Sequence, residues 1–161
     1  MVKGVADKLA DHWALQKLAV SPGAVPQAVR QFEATHKVIL PDELRSYFLR
    51  HDGMGQYWPN DQDAKGFAFW SLARIRPAAE ELAERSSSEA PVDLDGYFAF
   101  ADYLGWSWAY AIRLTADLAD NNPVIMIGTA DGVPLEIASS FGEFVDLYLQ
   151  DSPRLDPPET S

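Results

Sequence analysis

The residue types that carry reactions are sparse in this sequence, and their spacing limits what each can do. Three histidines, His12, His36 and His51, stand far apart. None lies in the HExxH or HxH spacing that brings two imidazoles to one metal. His51 falls on the inner face of a predicted helix and reads as a packed helix-terminal histidine. No cysteine is present, which removes disulfides, thiolate metal sites and thiol nucleophiles together. Gly105-Trp106-Ser107-Trp108-Ala109 imitates a GxSxG nucleophile elbow, with Ala in the last position. That device needs a strand, a sharp turn at the serine and then a helix, whereas this serine stands inside an aromatic-rich strand pattern. Two Asp-x-Asp pairs, Asp61/Asp63 and Asp93/Asp95, offer the carboxylates that Mg²⁺ and Ca²⁺ prefer. Both lack the glycine and distal Glu of a calcium loop and are expected to be solvated loop acids. Asp52-Gly53-Met54-Gly55 has no Lys and no following helix to cradle a phosphate, so it reads as a helix exit. The sequence therefore predicts no enzyme, no metal site and no cofactor.

Recognition chemistry is what remains. The net charge is −11, unevenly spread: residues 1–76 hold ten Lys/Arg against eight Asp/Glu, and residues 77–161 hold three Arg against sixteen acids. A half-chain this acidic repels phosphate backbones, which proteins hold mainly through Lys and Arg. Direct nucleic-acid binding and anionic membranes are disfavoured, and a basic protein partner is attracted and steered. The competing explanation is that the acids only keep the surface soluble. Five tryptophans in 161 residues are generous, and Trp is a favoured anchor because it joins a large area to a polar N–H. Trp106 and Trp108 read as core; Trp58, in a polar loop before a proline, reads as exposed. The candidate partner-binding residues are Asp93, Asp95, Asp102, Asp117 and Asp120, expected in turns or at strand ends facing outward together, followed by Trp58 and Asp61.

The elements that position these residues follow from periodicity. Residues 5–19 carry Val5, Leu9, Trp13 and Leu18 at helical spacing. A second helix should follow Pro26, with Val29 and Phe32 inward. A third spans 42–51, with Leu44, Tyr47, Phe48 and His51 at i, i+3, i+4 and i+7. Residues 54–65 read as loop, 66–70 as a short strand, and Pro77 opens a helix running to Arg85, with Ser71 a candidate cap before it. The period then changes to two: strands are predicted over 97–102, 106–114, 123–128 and 133–138. Ser140 with Glu143 forms a capping box for a closing helix lined by Phe141, Phe144, Val145 and Tyr148. The tail from Ser152 shows no periodicity and is expected to fray. Strands joined by short turns favour antiparallel pairing, so the class is α+β in one domain. Its core should join Phe32, Leu44, Phe48, Phe100, Tyr110, Ile125, Phe141 and Phe144. An interrupted N-terminus predicts no secretory signal, and no apolar run approaches the roughly 20 residues that cross a bilayer. A cytoplasmic home is the simplest expectation.

The pattern Val29-x-x-Phe32-Glu33, Leu40-Pro41-Asp42-Glu43-Leu44, Phe48-Leu49 and Asp52-Gly53 resembles the opening of the SUKH superfamily. This group includes the SMI/KNR-type cell-wall regulators of fungi and many bacterial immunity proteins. Further pieces follow in order: Phe67 to Leu72, Phe98 to Asp102, Gly105 through Trp108-Ala109-Tyr110, Pro123-Val124, and Ser139 to Phe144 completed by Tyr148-Leu149. Asp52 stands where the family often has Asn, and the helix at 5–19 is an addition. The resemblance divides the chain into an N-terminal helical extension (1–24), a SUKH-like domain (25–151) and a flexible tail (152–161). It implies an antiparallel-rich sheet packed by helices and no catalytic activity. It also implies a bacterial immunity protein that neutralises a cognate toxin of nuclease or deaminase type, which the acidic charge leads us to expect to be basic. A regulatory or scaffold module of the same fold, with no toxin partner, is the alternative.

Overall fold

The computed structural model describes residues 4–55, 57, 59–85, 94–117, 121–130 and 132–157. Three helices come first: α1 (Val5–Leu15), α2 (Pro26–His36) and α3 (Asp42–Arg50). β1 (Phe67–Phe69) and a 3₁₀ turn (Leu72–Arg74) follow, then β2 (Arg76–Pro77) and α4 (Ala78–Arg85). Next are β3 (Tyr97–Tyr103), β4 (Trp108–Arg113), β5 (Val124–Ile127) and β6 (Leu135–Ala138). α5 (Phe141–Leu149) and a 3₁₀ turn (Pro153–Leu155) close the chain. The six strands form one antiparallel sheet in the order β1-β3-β4-β5-β6, with β2 also paired to β3. The class is α+β, as the sequence predicts.

Aromatic rings weld the helices to one face of the sheet. Phe144 of α5 lies 6.0 Å from Phe69, 5.1 Å from Phe100 and 5.1 Å from Tyr110, so one side chain touches β1, β3 and β4. Trp13 of α1 packs edge-on against Phe69 at 5.3 Å and Tyr47 at 6.4 Å. All eight predicted core residues are buried in a single cluster. The start of α5 uses half of the predicted capping box. Ser140 Oγ accepts from the Glu143 amide at 3.0 Å, but the Glu143 carboxylate accepts from Ser139 Oγ. Glu43 of α3 accepts from the Gly142 amide, tying two helices together.

Several elements differ from the sequence expectation, each for a local reason. α1 ends at Leu15, because Lys17 adopts a left-handed φ of 59°. The helix is nonetheless integral: Leu9 and Trp13 are buried. The tail is docked through Leu155, which is buried and whose carbonyl accepts the Tyr110 hydroxyl at 2.8 Å. The strand predicted over 106–114 begins late, at Trp108. Leu104, Gly105 and Trp106 all take positive φ, at 48°, 63° and 70°, making a tight turn that costs backbone strain at the two non-glycine positions. That turn removes Trp106 from the Trp108–Tyr110–Ile112 face. Its ring instead packs on Gly128, where an added Cβ would fall 2.3 Å from it. β4 is buried on both faces, since Ala109 and Ala111 are as enclosed as Tyr110 and Ile112.

Candidate functional site

A cavity of about 600 Å³ opens where the end of α3, the loop after it and the β1 edge meet. Its walls are built by backbone devices. Gly53, at φ 76°, sits so close to the Trp70 carbonyl that a Cβ would lie 2.5 Å away, so only glycine admits this approach. The approach delivers Asp52, whose Oδ1 accepts the Leu72 amide at 2.7 Å and caps the 3₁₀ turn. Ser71, the expected cap, makes no side-chain cap bond. The capped turn presents Arg74. Its guanidinium lies 3.7 Å from the Trp70 ring centroid and 3.6 Å from Asp102, a cation–π contact and an ion pair at one wall.

Asp102 is the centre of this wall. It lies on β3 in register with Ala68 and Ala109, on the sheet face opposite Tyr110. Oδ2 accepts the Trp70 indole N–H at 2.7 Å, and Oδ1 accepts the Trp106 amide at 3.2 Å. The Trp106 indole in turn donates to Glu81 Oε1 of α4 at 3.0 Å. Glu81 is buried and is held by Arg76 and, at 3.6 Å, by Arg85, whose guanidinium lies 4.8 Å from the Trp106 ring. Hydrogen bonds to Glu84 and Glu81 push the Arg76 guanidinium above its ordinary value, and Arg76 draws the Glu84 carboxyl below its own. The result is a continuous chain of Trp, Arg and carboxylate from α4 to the cavity. Asp61 lines the same cavity with a buried Oδ1 that has no hydrogen-bond partner among the described residues.

The sequence model of the SMI1/KNR4 family matches residues 23–147. The chain belongs to this family, SUKH-1. No curated protein matches the sequence. The SUKH-1 match spans most of the cavity's walls, including Asp52, Asp61, Trp70, Arg74 and Asp102, but leaves α1 and Tyr148 outside it.

The residues nominated from this SUKH-1 sequence fall in separate places. Asp95 and Asp117 are exposed at one end of the β3–β4 pair, where the Leu114 amide bonds the Gly96 carbonyl at 2.9 Å. Asp95 also borders a second hollow of about 400 Å³ with His36, Tyr97 and Phe98. Asp61 and Asp102 belong to the other end, roughly 20 Å away along β3 at about 3.3 Å per residue. Asp102 does not face outward as expected: it is 6% exposed, because two Trp donors and Arg74 enclose it. Trp58, Asp93 and Asp120 lie outside the described residues. Asp63 is no solvated loop acid either; it is buried, accepting from the Lys65 and Phe67 amides and from the Tyr148 hydroxyl. The sequence reading missed Trp70 and Arg74. Both stand in or beside the Phe67 to Leu72 piece that carries the family pattern, which was the available signal.

Proposed function

We propose that the protein is a non-catalytic immunity protein that binds a basic toxin and holds it inactive. The observation that carries this is membership of SUKH-1 over residues 23–147. The charge supports it: a chain at −11 attracts a basic surface of the kind that nucleases use to hold phosphate backbones. The surface offers two acidic contacts, the exposed Asp95–Asp117 end and the carboxylate-lined cavity.

The groups singled out for chemistry have structural employment, which supports binding over turnover. Ser107 Oγ donates to the Leu104 carbonyl at 3.0 Å within the β3–β4 turn. His51 is buried against Trp13, and His36 lies between the rings of Phe32 and Phe98. No helix among the described residues is long and apolar enough to cross a membrane.

Co-expression with the product of the adjacent gene tests the function. The immunity protein should rescue growth and co-purify with that product as a stable complex. Titration of the purified toxin should end at equimolar protein. Inactivation of excess toxin by a trace of the protein would overturn the non-catalytic role, and failure to rescue or bind would overturn the immunity role.

A further inference from the structure

Among the described residues, five other than glycine take positive φ: Lys17, Lys37, Leu104, Trp106 and Asp151. Lys17, Lys37 and Asp151 close α1, α2 and α5, where a left-handed residue is a common helix ending, and their side chains are polar. Trp106 is compensated by the fold, since its indole donates to Glu81 and its ring packs on Gly128. Leu104 is different. Its φ is 48° and its side chain is 54% exposed. A bulky apolar residue in that conformation is strained. The part that is covered lies over Gly66, where an added Cβ would fall 2.5 Å from Leu104 Cδ2. Half-burying a leucine and straining its backbone are of similar size and opposite sign, so leucine brings the fold no net gain here.

The turn is also held in place. The Leu104 amide donates to the Gly66 carbonyl at 2.9 Å, and the Leu104 carbonyl accepts from Ser107 Oγ at 3.0 Å. The Ser107 amide donates to the Tyr103 carbonyl at 2.8 Å, and the Trp106 amide to Asp102 Oδ1 at 3.2 Å. An exposed apolar side chain on a backbone fixed at these points has little freedom left to lose on contact.

Charge selects what it contacts. A second copy of a chain at −11 is repelled, and so is an anionic membrane. Gly105, the next residue, lines the cavity in which Asp52, Asp61 and Asp102 outnumber Arg74 among the described lining residues. A basic protein is therefore favoured on this side of the molecule.

We propose that Leu104 is an anchor for the protein partner, an apolar side chain held out by the β3–β4 turn to fill an apolar recess in a basic surface. The assignment rests on the partner-binding function above, which supplies that surface.

Leu104→Gly and Leu104→Asn test the anchor, because both residues accept the left-handed backbone and neither offers an apolar surface. Both variants should melt within about 3 °C of the parent or above it. From a complex with the product of the adjacent gene, each should dissociate about tenfold faster than the parent, as expected for burying the exposed half of a leucine. Leu104→Met, of similar volume and also apolar, should keep the parent's dissociation rate. A melting temperature lowered by more than about 3 °C in both variants would assign Leu104 to the fold and overturn the anchor. Unchanged dissociation from a stable complex would remove the anchor and leave the immunity role standing. A parent dimer that Leu104→Asn splits into monomers would place the contact between copies and overturn the anchor for the toxin. A parent that does not bind the adjacent product sinks the immunity role, and the anchor with it.

Discussion

Two buried aspartates, Asp63 and Asp102, do the same local job in opposite settings. Each accepts from an aromatic donor and from the backbone, two amides for Asp63 and one for Asp102. Asp63 lies beneath the helices, where its Oδ2 takes the Tyr148 hydroxyl at 2.5 Å and Tyr148 takes the Trp13 indole N–H at 3.0 Å. Burial first, and then the Asp63 charge, raise the Tyr148 phenol above its ordinary value, so it stays protonated and keeps donating. No cation is among the hydrogen-bond partners of Asp63 in the described residues, and the network joins α1, α5 and the loop before β1. Asp102 instead borders a cavity and faces a guanidinium that is itself partly exposed. A carboxylate closed off by neutral donors is a structural tie. One that borders a cavity beside a partly exposed cation is not closed off in this way.

Breaking the sealed network should have the largest effect. Trp13→Ala removes a fully buried indole and its bond to Tyr148, and should cost about 3–5 kcal/mol by denaturant titration. Phe144→Ala, on the same side, belongs in the same range. A loss below about 1 kcal/mol for Trp13→Ala would make α1 an appendage of the SUKH-1 domain. The comparison of the two acids is sharpened by Asp63→Asn, which turns one acceptor into a donor facing Tyr148. We expect a stability loss of about 1–3 kcal/mol with partner binding retained. Asp61→Asn at the open site should do the reverse, leaving stability within about 0.5 kcal/mol and weakening the partner complex. Equal effects on folding from both substitutions would erase the distinction.

His51 supplies a smaller, pH-dependent effect on the sealed side. Burial first, and then the neighbouring Arg50 charge, lower its imidazole below the ordinary value, against a backbone hydrogen bond at Ala6 that raises it. The folded state therefore prefers neutral His51. Its contribution is complete above about pH 6.5, the unfolded value, and is lost as pH falls through the lower folded value. Melting temperature should decline below that pH, and His51→Gln should flatten that part of the profile.

The same contrast shows how much the sequence discloses. Apolar periodicity locates α2, α3 and α5 because one face of each meets the core, and Phe32, Phe48 and Phe144 are all buried there. Trp106 escapes its alternation because three consecutive left-handed residues redirect it, and no periodicity anticipates those. β2 is two residues long and leaves no pattern. Acids are the least legible. Asp63 and Asp61 are two positions apart in one polar loop, yet Asp63 is buried by Tyr148, 85 residues distant, and Asp102 is enclosed by Trp70, 32 residues distant. Residue type states that a carboxylate is costly to bury; only the fold supplies the donors that make it bearable.

The exposed acids complete the comparison with the smallest effect on the fold. Asp95 and Asp117 lie at the far end of β3 and β4 from the cavity and are exposed. Asp95→Lys with Asp117→Lys should leave stability within about 0.5 kcal/mol, because no buried group loses a partner. Each reversal adds two units, taking the net charge from −11 to −7. If these acids steer the toxin, the association rate should fall in the variant, and salt should slow the parent more than the variant, since screening shortens the field to about 8 Å at physiological ionic strength. The dissociation rate should stay the same, because rim charges guide the encounter more than they hold the complex. Asp61→Asn should show the complementary signature, with a faster dissociation and a nearly unchanged association rate. Stopped-flow kinetics over a range of salt separates the two. An association rate indifferent to both salt and the double reversal would assign Asp95 and Asp117 to solubility alone, leaving the cavity as the candidate contact.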